Sequence, residues 1–210
     1  MSSNSLRAGV VLLMLLSFGR GALADDGVDP RFLTLLSSDA HRAAVLKVAA
    51  EQAQGLPAPC AGARYRPVGD VDFFLPPQFD GGGRVIHGLW REQVMAEGCG
   101  TIELLNVFSL ADPSGEPKLL GGLPGTTRAD LALQKRGLTL AARGLPEAAA
   151  QCRDVRVVDT ALSPDAPQEH NAPWREVWTV LACDKAYPVS LLFTPSGDGA
   201  TITLEASPHS

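Results

Sequence analysis

Hydrophobic positions along the chain change period several times, and each change predicts an element. Residues 31–53, RFLTLLSSDAHRAAVLKVAAEQA, place apolar side chains at 32, 35 and 36, then at 43–46 and 48–50. That spacing is close to the 3.6-residue repeat of a helix, and the Ala and Leu content favours the same state. A second helix is expected over 126–144. Thr127 with Asp130 three residues later has the form of a capping box, and Leu131, Leu138 and Leu145 fall near one face. Gly137 counts against that helix, because glycine is a poor helix former. The segments REVWTVLAC (175–183) and YPVSLLFTP (187–195) are rich in Val, Trp, Thr, Phe and Tyr, as strands are. Asp198-Gly199 predicts a tight turn into a further strand, ATITLEA (200–206).

The pattern occurs twice. WREQVMAEGC (90–99) and WREVWTVLAC (174–183) both open on Trp-Arg-Glu and close on Cys at the same spacing. Each is followed by an apolar stretch that reaches Pro-Ser-Gly, a turn signal. Each is preceded by a helix-like segment leading to another Cys, Cys60 in the first half and Cys152 in the second. Each half therefore reads as helix, Cys, strand, Trp-Arg-Glu strand, Cys and hairpin strand, which is the form of an internal duplication. The expected fold class is α+β, with two similar helix-plus-antiparallel-strand halves sharing one sheet. A single half offers too few strands to stand alone, hence the expectation of a shared sheet. The expected organisation is a signal peptide at 1–24, a first α+β repeat at 25–115, a linker at 116–125 and a second repeat at 126–210. Trp90 and Trp174 are expected to anchor the core on matching strands.

Residues 1–24 have the form of a secretory leader. Arg7 supplies a positive start, Ala8–Gly19 is an apolar run too short to span a bilayer, and Ala22-Leu23-Ala24 fits signal peptidase. Cleavage is expected after Ala24, and no later segment is apolar enough to span. The high Arg-to-Lys ratio, with abundant Ala, Gly and Pro, suits a GC-rich bacterial genome. Export there points to the periplasm. In that oxidising compartment the four cysteines read as two disulfides, with no CxxC to suggest a redox motif or zinc site. Four cysteines allow three pairings. Locality favours Cys60–Cys99 and Cys152–Cys183, because each ties the strand after a helix to the far end of the Trp-Arg-Glu strand in the same half.

The formal net charge is −5, and loss of the leader, which carries Arg7 and Arg20 but no acid, makes it more negative. An acidic chain is poorly suited to the phosphate backbone, so no nucleic-acid partner is expected. That bears on His87-Gly88-Leu89-Trp90, which resembles the first active-site box of the T2-type ribonucleases. In that family a Pro follows the box and a second box supplies further histidines, since catalysis needs two imidazoles around one phosphate. Here Arg91 stands in place of the Pro, and His41, His170 and His209 lie in unrelated contexts. The second copy keeps Trp-Arg-Glu and has Asn171 where the first has His87. His87 is thus expected to be an ordinary exposed strand residue.

The most unusual segment is DVDFFLPPQFDGGGR (70–84). One reading makes it an apolar lip that contacts a ligand or partner through Phe73, Phe74 and Phe79, with His87 nearby and Gly81–Gly83 as hinge. The other ends a strand at Leu75 and uses the phenylalanines to close the core. No GxSxG, phosphate loop or HExxH is present. The expectation is an exported, non-catalytic periplasmic module that binds a small molecule or a periplasmic protein, without cofactor or metal. The alternative is a hydrolase whose site is assembled from residues distant in sequence.

Overall fold

The computed structural model describes residues 28–57, 60–169, 171–197 and 199–205. The leader, His170, Asp198 and His209 lie outside them. Among the described residues, four helices and eight strands follow in the order α1 (Pro30–Ser37), α2 (Asp39–Gln54), β1 (Arg64–Phe79), β2 (Val85–Gly98), β3 (Thr101–Ala111), β4 (Lys118–Gly121), α3 (Leu131–Arg143), α4 (Glu147–Ala150), β5 (Val155–Leu162), β6 (Trp174–Ala182), β7 (Lys185–Ser196) and β8 (Gly199–Leu204). Among the described residues no helix is long and apolar enough to cross a membrane.

The structure corrects the expected fold class. The chain is mostly strand, and the strands form two separate four-stranded antiparallel meanders, β1-β2-β3-β4 and β5-β6-β7-β8, not one shared sheet. Each half completes a sheet of its own. In the first half the fourth strand, β4, comes from the stretch expected to be linker. β4 covers only Val107–Leu110 of β3, so the strand groups left open toward the other half are those of the rest of β3 and of the edge strand β5, and the connector 122–127 lies between them. Its Gly122 and Gly125 N–H groups donate to the Asn106 and Leu104 carbonyls of β3, and its Thr126 N–H donates to the Thr160 carbonyl of β5. Edge groups that would have paired with another strand are thus used by the connector. Gly125 is required there twice over: its φ is +96°, and a Cβ would lie 2.0 Å from the Thr160 oxygen.

The single helix expected over 31–53 is two helices, because Ser38 is extended. Its hydroxyl donates to the Leu35 carbonyl at the end of α1 and accepts the His41 N–H at the start of α2. The break lets α1 drive Phe32 edge-on against Trp90, with ring centroids 5.1 Å apart, while α2 lays Val45, Ala49 and Ala53 on Val94, Leu105 and Val107. In the second half α3 starts later than expected. Asp130 is its N-cap and accepts the Leu133 N–H, while the Thr127 hydroxyl accepts from Ala129 outside the helix. Its buried face carries Leu133, Gln134, Gly137 and Ala141, and Leu138 is exposed. Gly137 is the contact residue: a Cβ there would sit 2.3 Å from the Trp178 ring. The glycine that weakens the helix in sequence brings the helix close to the sheet.

Both disulfides form as locality suggests, Cys60–Cys99 and Cys152–Cys183, with Cα separations of 5.8 and 5.6 Å. Each has the same anchor. Cys99-Gly100 joins β2 to β3 and Cys183-Asp184 joins β6 to β7, and all four residues have positive φ, as a two-residue primed hairpin turn requires. Two disulfides are consistent with an oxidising compartment.

Candidate ligand cleft

The two Trp-Arg-Glu segments show how the site is positioned. On a strand, Trp and Glu share one face and the Arg points to the other. In β6 burial alternates strictly, and Trp174, Glu176 and Trp178 are all buried. Glu176 accepts from the indole N–H groups of Trp174 (2.9 Å) and Trp178 (2.8 Å) and from the backbone N–H of Arg128 (2.8 Å), just upstream of α3. In β2, Glu92 accepts from the Trp90 indole (3.2 Å) and lies 2.7 Å from His41 Nε2, in the first turn of α2. Each carboxylate thus fastens the N-terminal end of the helix covering its sheet, where negative charge is favoured.

The two arginines differ. Arg175 is exposed and pairs with Glu205 at 2.5 Å. Arg91 is buried on the face of its sheet away from α1. Its Nε and one terminal nitrogen donate to Asp72 Oδ2 (3.0 and 2.6 Å), and the other terminal nitrogen donates to the Thr127 carbonyl of the connector. Arg91 therefore joins β1, β2 and the second half at one point.

A cleft of about 380 Å³ opens beside it, lined by Asp72, Phe73, Phe74, Arg91, Gln93, Thr126, Arg128 and Leu162. The volume falls within the range of small-molecule sites. One wall is the first sheet and the other is the connector with the end of β5. β1 supplies its aromatic part because its pairing with β2 shifts between Val68 and Asp72 and again between Phe73 and Leu75. Such bulges re-aim side chains. Phe73 packs on Phe32 (5.1 Å), while its neighbour Phe74 packs on Phe108 (5.6 Å) with the Arg91 guanidinium over its ring. The connector side is fixed by the Leu162 N–H donating to the Thr126 hydroxyl (2.9 Å) and by the bond from Arg128 to Glu176.

Of the residues singled out in sequence, the structure brings Phe73 and Phe74 to the cleft. Phe79 lies elsewhere, under the Arg31 guanidinium at 4.6 Å and against the α1 core. His87 is an exposed β2 residue opposite Gln78. The segment 70–84 is a bulged strand that runs on to Phe79. Its glycines form a closed turn in which Asp80 Oδ1 accepts from the Gly82 and Arg84 N–H groups. Those bonds hold the Asp80 carboxyl below its ordinary range. Sequence reasoning misses Asp72, Arg91, Gln93, Thr126, Arg128 and Leu162. Only Arg91 carried a signal, as part of the repeated tripeptide. Its partner Asp72 and the connector residues meet it through tertiary packing alone.

The histidine–carboxylate pair among the described residues is His41–Glu92. A broader and more open groove of about 710 Å³ runs beside it between α1, α2 and β1. Two hydroxyls in that groove, those of Thr34 and Ser37, donate to backbone carbonyls of α1. The fold and site thus define a disulfide-bonded protein of two antiparallel meanders with a ligand-sized cleft at their junction. Comparison with protein-family models, with curated proteins and with solved structures gives no match.

Proposed function

We propose that this chain is a non-catalytic binding module of the periplasm that holds a small organic molecule in the cleft between its halves. The observation that carries the reading is the composition of the cleft. Phe73, Phe74 and Leu162 supply apolar surface, and Arg91, Gln93, Thr126 and Arg128 supply polar groups converging on one ligand-sized space. The backbone around it is held by hydrogen bonds from both halves, so little ordering is left for a ligand to induce. Export rests on the leader and fits the two disulfides. The shared element order and the matching Trp-Arg-Glu clamps support an origin by duplication, the cleft being where the two copies face each other and differ.

The test is a titration of the full oxidised chain with phenylnaphthylamine, a neutral apolar fluorophore. The expected result is saturable one-site binding that is lost in Leu162→Trp, which fills the cleft. No saturable binding, or binding unchanged in that variant, overturns the reading. Export is checked separately by sequencing the protein from the periplasmic fraction, which is expected to begin at Asp25.

A further inference from the structure

We infer that the cleft selects an organic anion, a carboxylate or sulfonate on an apolar body, and that Arg128 receives its acidic group. The inference rests on the cleft being a ligand site, and it adds the chemical class of the ligand and the residue that chooses it.

Two guanidinium groups line the cleft, and they are not equivalent. Arg91 is already neutralised. Asp72 Oδ2 takes two of its donors and the Thr127 carbonyl a third, and its side chain is 7% exposed. The Arg91–Asp72 pair therefore adds no net charge to the cleft. Arg128 has no carboxylate partner among the described residues. One of its terminal nitrogens donates to the Pro167 carbonyl, which orients the fork and leaves its charge uncompensated. A half-buried cation without a counter-charge is a place where an anion gains from both ion pairing and directed hydrogen bonds.

The position of Arg128 is set independently of any ligand. Its backbone N–H is bonded to the fully buried Glu176, which in turn is held by two tryptophans. The side chain thus starts from a fixed point and is held at its tip. Such preorganisation makes an arginine selective, because less freedom is lost on binding. The chain as a whole is acidic, so a cleft whose net charge is positive runs against the general field of the molecule. Phe74, whose ring lies on the Arg91 side of the sheet, and Leu162 line the same cleft as Arg128. An acid group at Arg128 with its apolar body against these residues satisfies every wall of the cleft.

The test compares two fluorophores with the same rings, anilinonaphthalene sulfonate and neutral phenylnaphthylamine, titrated into the full oxidised chain. The sulfonate is expected to bind at least about tenfold more tightly, with the advantage shrinking as salt is raised. Arg128→Gln is expected to bring the affinity for the sulfonate down to that for phenylnaphthylamine in the same variant, and Arg128→Lys to restore part of the difference. Circular dichroism of Arg128→Gln is expected to match the parent, because the substitution keeps the backbone bond to Glu176. If both probes bind the parent equally, or if Arg128→Gln keeps the preference for the sulfonate, the anion inference is overturned although the cleft stands. If neither probe binds, or both bind Leu162→Trp as well as the parent, the ligand-site reading falls with it.

Discussion

Glu176 is the residue on which the second half most depends. It is fully buried, and instead of facing a cation it accepts three N–H groups. Glu176→Gln replaces one acceptor oxygen with a donor that must face an N–H. We expect a loss of about 1–3 kcal/mol of stability, read as a lower urea midpoint with an unchanged slope. An unchanged midpoint would show that the carboxylate is not the clamp described. Glu103 poses the opposite case. Burial, and secondarily the neighbouring Asp159 charge, raise its pKa above the ordinary 4.5. The folded state therefore opposes its ionisation. The penalty is absent below the ordinary pKa, grows as pH rises through the raised folded value, and is complete above it. Glu103→Gln is expected to stabilise the protein at neutral pH by less than about 1 kcal/mol, since the group is partly solvated. The gain should vanish when unfolding is repeated below pH 4.5. A gain that is the same at both pH values would count against this account.

Among the elements, α3 gives the sharpest test. Propensity alone makes Gly137→Ala stabilising by about 1 kcal/mol. Packing says otherwise, because the new methyl would overlap the ring of Trp178, which has no exposed surface through which to retreat. We expect a net destabilisation of about 1–3 kcal/mol with a shift in tryptophan emission. A more stable variant would mean that α3 sits further from its sheet than the structure places it. The two hairpins carry the same lesson in another form. Cys99 and Cys183 occupy left-handed turn positions that non-glycine residues seldom adopt. Their side chains leave those turns toward Cys60 and Cys152 in the same half, so the local pairing follows from the turn as well as from sequence proximity.

For the whole molecule, the disulfides close loops with separations of 39 and 31 residues. Loop entropy assigns each about 4 kcal/mol, a large share of the roughly 5–15 kcal/mol that stabilises a domain. Each bridge lies within one half. Replacing Cys152 and Cys183 by Ser is therefore expected to weaken the second sheet first and leave the first, which keeps Cys60–Cys99, protected. Amide hydrogen exchange resolves the two. Equal loss of protection in both sheets would show that the connector couples the halves into one cooperative unit.

The sequence by itself determined the local and the periodic. The Trp-Arg-Glu strands, the cysteine pairing, the two main helical regions and the exposed position of His87 all follow from side-chain period, turn chemistry and proximity along the chain. Period also places Trp and Glu on one face, but does not say that an indole N–H will meet that carboxylate. Tertiary structure alone decided which edges meet. Whether two halves share a sheet depends on what lies between β3 and β5, and here the connector takes the hydrogen bonds that a shared sheet would have needed. The cleft arises from the same choice. Arg91, Asp72 and Arg128 are distant along the chain and carry no common pattern, and they converge because the connector packs against both halves. A helix start, a glycine and a strand edge each had two locally reasonable uses. Close packing against Trp178 and the need to bond every buried backbone group selected between them.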